Sequence, residues 1–292
     1  KFYDWLYSPY IRSGIVVAVV ALLLNINRMH TLRHPYITKE ALGYRNMGAI
    51  LLAFLVLCCL QTTPTILQNI FTGSILKYDV LNSVSLNWWN LLGIVLGALA
   101  VYYWHARLHG GYKRAVFTGF ALIVIYQCFM YFLIDPRMNI EWLYLPTLLR
   151  GAGYVMIYIS LTVYISGFVP FQHFFQVLSL LGFVRTGFGS AFGSAIYGRV
   201  MQHVLPGNYQ LLAADLDAVN PIAAHIPTGQ LYGETMRQVM LVSMKELYGW
   251  TCIIGIFFLL MLLSYRYLNR NTVGRLPGMR QIKRVMKRNV SY

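Results

Sequence analysis

Charged residues are scarce in this 292-residue sequence, at 11% against the roughly 25% usual in soluble domains. Its 24 basic and nine acidic side chains are too few to coat a soluble domain of this size, which excludes a soluble enzyme. Acids are the scarcer sign, and no Asp or Glu falls inside a long apolar run. Disorder is excluded too, because 58% hydrophobic and 15% aromatic residues favour burial. The four cysteines, Cys58, Cys59, Cys128 and Cys252, each sit within apolar sequence, so neither a disulfide framework nor a zinc site is read from them. Also lacking are a Gly-rich phosphate loop, HExxH, CxxC and GxSxG, so no enzyme, cofactor or metal is expected. An integral membrane protein is the class that remains.

What the sequence does have is long, continuous apolar runs. A helix of about 20 such residues crosses a bilayer. Seven segments approach this: 11–26, 47–68, 87–103, 115–134, 142–169, 174–200 and 250–267. They are continuously apolar rather than alternating, which excludes an outer-membrane barrel. The predicted fold class is all-α integral membrane, with seven transmembrane helices.

Orientation follows from the loops. Segments 27–46, 105–114 and 170–173, with the tail after 267 and Arg266 at the edge of the last span, hold 15 basic residues and one acid, Glu40. The opposite set, with Arg12 and Arg199 at span edges, holds seven basic residues and eight acids. The positive-inside rule makes the first set cytoplasmic, with the amino terminus of this chain outside and the carboxyl terminus inside. The net charge of +15 is then a topology signal, and no nucleic-acid partner is expected. Residues 201–248 read as the single long outer loop. Its later part puts Met236, Val239, Met240, Ser243, Met244 and Leu247 at helical spacing, either extending the last helix outward or lying on the interface. Met279 to Arg288 reads as a short cationic helix for the inner leaflet or as a disordered basic tail. The chain begins at Lys1 without a signal-peptide pattern, and is expected to be a fragment or a processed chain.

Within the spans, a few polar residues carry the functional question. Arg150 and Arg185 are the embedded charges, and a guanidinium at that depth costs about 2.5–3.5 kcal/mol on insertion scales. Each must face a wet cavity or an anion, or bond helix carbonyls and a neighbouring helix. Tyr154 and Tyr158 share a helix face with Arg150, which suits a cavity lining as well as a buried bundle. Pro64 breaks the polar stretch from Gln61 to Asn69 and frees a carbonyl, making Gln61 and Gln68 substrate-contact candidates. The sixth span reads Gly182, Thr186, Ser190, Ser194, Gly198 in steps of four, beside Gly189 and Gly193, a pattern expected to pack closely on another helix. Gly93 and Gly97 form a weaker version. No Lys lies within 250–267, which argues against a retinal protein.

Several of these pieces, in order, resemble the carboxyl-terminal half of a major facilitator superfamily transporter, in the fourteen-helix drug:proton antiporter branch (EmrB/QacA type). They are Asp4-Trp5-Leu6-Tyr7-Ser8; His34-Pro35-Tyr36-Ile37 with Tyr44-Arg45-Asn46; Leu145-Pro146-Thr147-Leu148-Leu149-Arg150-Gly151-Ala152-Gly153; and Arg185-Thr186-Gly187 through Gly189 and Gly193. The chain departs from the pattern at Gly110-Gly111, where the superfamily's helix-linking motif has an acid. The resemblance implies a linker helix and cytoplasmic loop over 1–46, a six-helix bundle over 47–267, and a basic cytoplasmic tail over 268–292. It implies an inner (plasma) membrane location and proton-coupled export of amphipathic small molecules by alternating access. The implied partners are the lipid bilayer, an amino-terminal transporter half that supplies the coupling carboxylates, and in two-membrane bacteria a periplasmic adaptor protein. A non-transport seven-helix protein, a receptor or an assembly scaffold, is the alternative.

Overall fold

The computed structural model describes residues 8–32, 37–44, 46–108, 110–214 and 227–264. The expectations for Asp4 to Tyr7, for His34 to Tyr36 and Arg45, for the loop around Asn220 and for the basic tail lie outside these residues. Over the described residues the chain is helical, without strands. Its helices are α1 (Pro9–Thr31), α2 (Lys39–Gly43), α3 (Met47–Thr63), α4 (Val80–Ala106), α5 (Tyr112–Leu133), α6 (Tyr144–Phe168), α7 (Phe171–Gly182), α8 (Ser190–Ala214) and α9 (Thr228–Ser264). Wide π-helical turns at Pro64–Gln68 and Phe71–Ile75 carry α3 onward, and another at Phe183–Gly189 joins α7 to α8.

Six of the helical segments are long and apolar enough to cross a membrane, so the chain is a multi-pass membrane protein. The sequence predicted seven. The predicted span 174–200 falls in one helical run through α7, the π turn and α8, which is not among the six. Arg185 and its many glycines and serines dilute its hydropathy. The last helix also differs from expectation. It starts at Thr228 rather than Trp250 and runs 37 residues, about 55 Å at 1.5 Å rise, well beyond a hydrocarbon core of about 30 Å. Most of the predicted outer loop 201–248 is therefore helix: α8 reaches Ala214, and Met236 to Leu247 belong to α9. Glu234 and Glu246, expected in that loop, lie on α9, Glu246 at its middle, and Asn208 donates to Glu246 Oε2 at 3.2 Å.

Five long helices and the α7–α8 run form one bundle. Helix α6 packs against α4 and α5, α5 against α9, α9 against α8, and α8 against α3. Helix α1 stands apart, with none of its apolar window buried by protein. The closest helix approach is between α4 and α6. A Cβ on Gly93 would sit 2.1 Å from the Leu148 carbonyl oxygen, and one on Gly151 2.4 Å from that of Asn90. Gly119 and Gly153 make a like contact between α5 and α6. Small residues let these backbones meet, as membrane helices require in the absence of a hydrophobic drive between them.

The break from α- to π-helix after α3 has a chemical cause. Pro64 has no N–H, so the Leu60 carbonyl loses its ordinary i+4 donor. Gln127 of α5, fully buried, fills that vacancy: its Nε2 donates to Leu60 O at 3.0 Å and to Thr63 Oγ1 at 2.7 Å. Its Oε1 accepts from Thr251 Oγ1 of α9 at 3.3 Å. One amide thus ties three helices at the break.

Polar contacts gather at the two ends of the bundle. At one end Lys113 Nζ donates to Leu263 O of α9 at 2.7 Å, and Thr38 bonds Gln176 of α7. At the other, Arg237 donates to Ile75 O and Pro136 O, and Tyr78 donates its hydroxyl to Met138 O. These pairings join the segment ends that successive crossings bring to the same side.

Candidate functional site

A cavity of about 340 Å³ lies among α3, α4, α6 and the start of α8. Its walls come from Cys58 to Thr65 on α3 and its first π turn, Asn90 and Ile94 on α4, Arg150 and Tyr154 on α6, and Arg185, Ser190 and Ser194 on the α7–α8 run. Those positions fall near the middle of Met47–Ile75, Val80–Ala106 and Ile140–Phe168, so the cavity sits at mid-depth of the spans. Two of the lining segments include π turns, where the widened helix re-aims side chains.

The sequence candidates divide as follows. Gln61, Arg150, Tyr154 and Arg185 meet in this cavity. Tyr158 lies beneath it, with the Arg185 guanidinium 5.1 Å over its ring and Tyr154 stacked beside it at 6.3 Å between centroids. Gln68 is buried behind the wall rather than exposed in it. Its Oε1 accepts from Tyr126 Oη at 3.0 Å and from Arg150 Nη1 at 3.3 Å, so it holds Arg150 in place. Arg150 also lies 5.7 Å over the Tyr126 ring.

The small-residue stripe splits in two. A Cβ on Gly189 would meet Cys58 Cβ at 2.5 Å, and one on Gly193 would meet Thr62 Oγ1 at 2.5 Å, so both glycines sit against α3. A Cβ on Gly182 or Gly198 meets nothing within 4 Å, so close packing does not extend to them. Ser190 and Ser194, of the same row, face the cavity. Sequence reasoning missed Asn90, Thr62 and Thr65 as lining residues, and Tyr126 and Gln127 as buried supports. The two glycines on α4 are the one signal that marked this face of α4 as close to α6.

On the outer side of the α3–α8 wall is a second cleft, of about 470 Å³, bounded by α9. It is lined by apolar surface, including Val56, Ile196, Val200, Trp250 and Ile254. The wall at Gly189 and Gly193 therefore separates a polar, cationic cavity from an apolar cleft. Among the described residues, no group of three or more His, Cys, Asp or Glu could hold a metal ion.

Chemically, the cavity can bind and orient a molecule with both polar and apolar parts. It offers two guanidiniums, amides, hydroxyls and an aromatic shelf, and among the described residues no carboxylate lines it. No family model matches this chain, and no curated protein matches it.

Proposed function

We propose that this chain is one bundle of a secondary active transporter, of the major facilitator type that its sequence resembles, exporting amphipathic small molecules by alternating access. The observation that supports this is the mid-depth cavity walled by four helical segments, two of which depart from α-helical geometry at the site. Transporters place their sites near the bilayer midplane, between bundles, on interrupted helices. Alternating access at such a site requires a second bundle to close it in turn from each side.

Proton coupling needs a group whose charge changes within the membrane, and Arg does not release its proton there. Glu141, Glu234 and Glu246 fall within the span-length helical segments, Glu246 midway along α9, but none of them lines the cavity. The coupling carboxylate belongs, on this reading, to the second bundle. On this reading the Lys113–Leu263 end faces the cytoplasm and the Arg237 end the outside, which the positive-inside pattern supports.

The test is flux into proteoliposomes carrying a fluorescent amphiphile, with and without an imposed pH gradient. Residues 1–292 alone are expected to insert, to bind the dye and not to drive gradient-dependent uptake. Gradient-driven uptake by this chain alone overturns the one-bundle reading, and failure to bind any amphiphile overturns the transport reading.

A further inference from the structure

We propose that the cavity recognises an anionic group, a carboxylate, sulfonate or phosphate carried on an apolar body, with Arg185 as its principal anchor. This rests on the transporter reading and specifies the substrate's charge.

Three observations lead there. The first is charge. Arg150 and Arg185 line the cavity and no acid does. The second is the state of Arg185. Among the described residues its side chain makes no hydrogen bond or ion pair, and its contact is the face of Tyr158 at 5.1 Å. A guanidinium carries five N–H donors, and at mid-depth of a membrane bundle leaving them unmet is costly. Arg150 differs, since Gln68 Oε1 and the Tyr126 ring hold it. Arg185 is thus placed by an aromatic shelf and a π turn, with its donors uncommitted.

The third observation is the donor inventory of the rest of the lining. Thr62 Oγ1 donates to Cys58 O at 2.8 Å, and Thr65 Oγ1 to Thr62 O at 2.8 Å. Ser190 Oγ donates to Thr186 O at 2.9 Å, and Ser194 Oγ to Ser190 O at 2.8 Å. Each of these four hydroxyl protons is committed to its own helix. The donors left for a ligand are the Arg185 fork, the remaining Arg150 N–H groups, the Tyr154 hydroxyl, and the amides of Gln61 and Asn90, which make no hydrogen bond among the described residues. A cationic ligand would meet two like charges and no counter-charge. An oxyanion would meet planar, bidentate donors suited to its geometry. Ile94 and the Tyr154 ring offer apolar surface to the ligand's body, and the volume of about 340 Å³ is that of a small-molecule site.

The experiment uses the full chain in nanodiscs of zwitterionic lipid, with empty nanodiscs subtracted. Three matched probes are titrated by fluorescence: a dansyl-labelled fatty carboxylate, its methyl ester, and the analogue ending in trimethylammonium. The carboxylate is expected to bind at least about tenfold more tightly than the ester, as charge-assisted hydrogen bonds to a half-buried guanidinium imply. Arg185→Gln should abolish that preference and leave ester affinity within about twofold, while Arg185→Lys should retain part of it. Helical circular dichroism checks that each variant folds, and if Arg185→Gln does not, the Arg185→Lys series and the wild-type probe ranking decide. Displacement of the carboxylate by an added anionic phospholipid, but not by inorganic phosphate, assigns the anion to a lipid headgroup. Displacement by inorganic phosphate, with or without displacement by the phospholipid, assigns it to a soluble anion, and displacement by neither overturns the anion site. Equal binding of carboxylate and ester, or tightest binding of the ammonium probe, overturns the anion site while leaving an amphiphile cavity in place. Binding of none of the three overturns the transporter reading with it.

Discussion

Gln127 carries the most specific structural prediction, because its role follows from one missing proton on Pro64. Gln127→Leu keeps the volume roughly constant and removes two donated bonds, to Leu60 O and Thr63 Oγ1, and one accepted from Thr251. The groups left behind are not wholly abandoned. Thr63 Oγ1 still donates to Leu60 O at 2.7 Å, and Thr251 Oγ1 still donates to Tyr248 O at 2.9 Å. The loss is therefore of net hydrogen-bond energy rather than full desolvation, about 0.5–1.5 kcal/mol per bond and nearer 0.6 in membrane bundles. The expected total is about 1–3 kcal/mol. Pro64→Ala returns an N–H to position 64, which then supplies the Leu60 carbonyl. In that background Gln127→Leu should cost less by about 0.6–1.7 kcal/mol. The assay is equilibrium unfolding in mixed micelles, followed by helical circular dichroism, for the wild type, both single variants and the double variant. Strict additivity, or a Gln127→Leu cost below about 0.3 kcal/mol, would refute the idea that Gln127 serves the proline break.

Other outcomes follow from the same geometry. Gly189→Leu and Gly193→Leu should each lower the yield of folded protein, at roughly 1–3 kcal/mol of overpacking against Cys58 and Thr62, more than they alter ligand preference. Normal accumulation with a changed ligand range would make those glycines cavity residues instead. Gly182→Ala and Gly198→Ala face open space and should be neutral or stabilise by up to about 1 kcal/mol in the same unfolding assay; a loss of stability would reveal a packing partner. Arg237→Ala should cost about 1 kcal/mol by releasing the Ile75 and Pro136 carbonyls, and an unchanged unfolding midpoint would discount that outer tie. Single cysteines at Asn220 and Tyr292, in a background lacking the four native ones, should label from opposite sides of the membrane with an impermeant thiol reagent. Labelling of both from outside would reverse the assigned topology.

The helical class and the membrane setting were legible because composition and continuous apolar runs are global signals. Pro64 announced the break in α3, and the two embedded arginines announced the cavity they line. The rest was hidden for identifiable reasons. In a membrane protein both the lipid-facing and the protein-facing sides of a helix are apolar, so periodicity does not say which residues meet. Asn90 and Gln127 therefore went unnoticed in the sequence, and Gln68 read as a ligand contact although it serves Arg150. The stripe on the α7–α8 run has one spacing but several surroundings, since a π turn shifts the register between Gly182 and Ser190. The last helix was cut short at Trp250 because its first half carries charge, and a helical extension of that kind leaves little hydropathy signal.

The central claim is that the space among α3, α4, α6 and α8 is a wet, ligand-accessible cavity, distinct from the lipid-covered cleft across the same wall. Ser194 lines the first and Ile254 the second, and both are exposed on the protein surface. The direct measurement is the rate at which a small, charged methanethiosulfonate reagent modifies Ser194→Cys and Ile254→Cys in membranes, with the native cysteines replaced. Thiol modification requires water and thiolate, neither of which a bilayer core supplies. The account predicts rapid modification at position 194, slowed by a bound amphiphile, and no detectable modification at position 254. No reaction at position 194, or equal rates at the two positions, would contradict it.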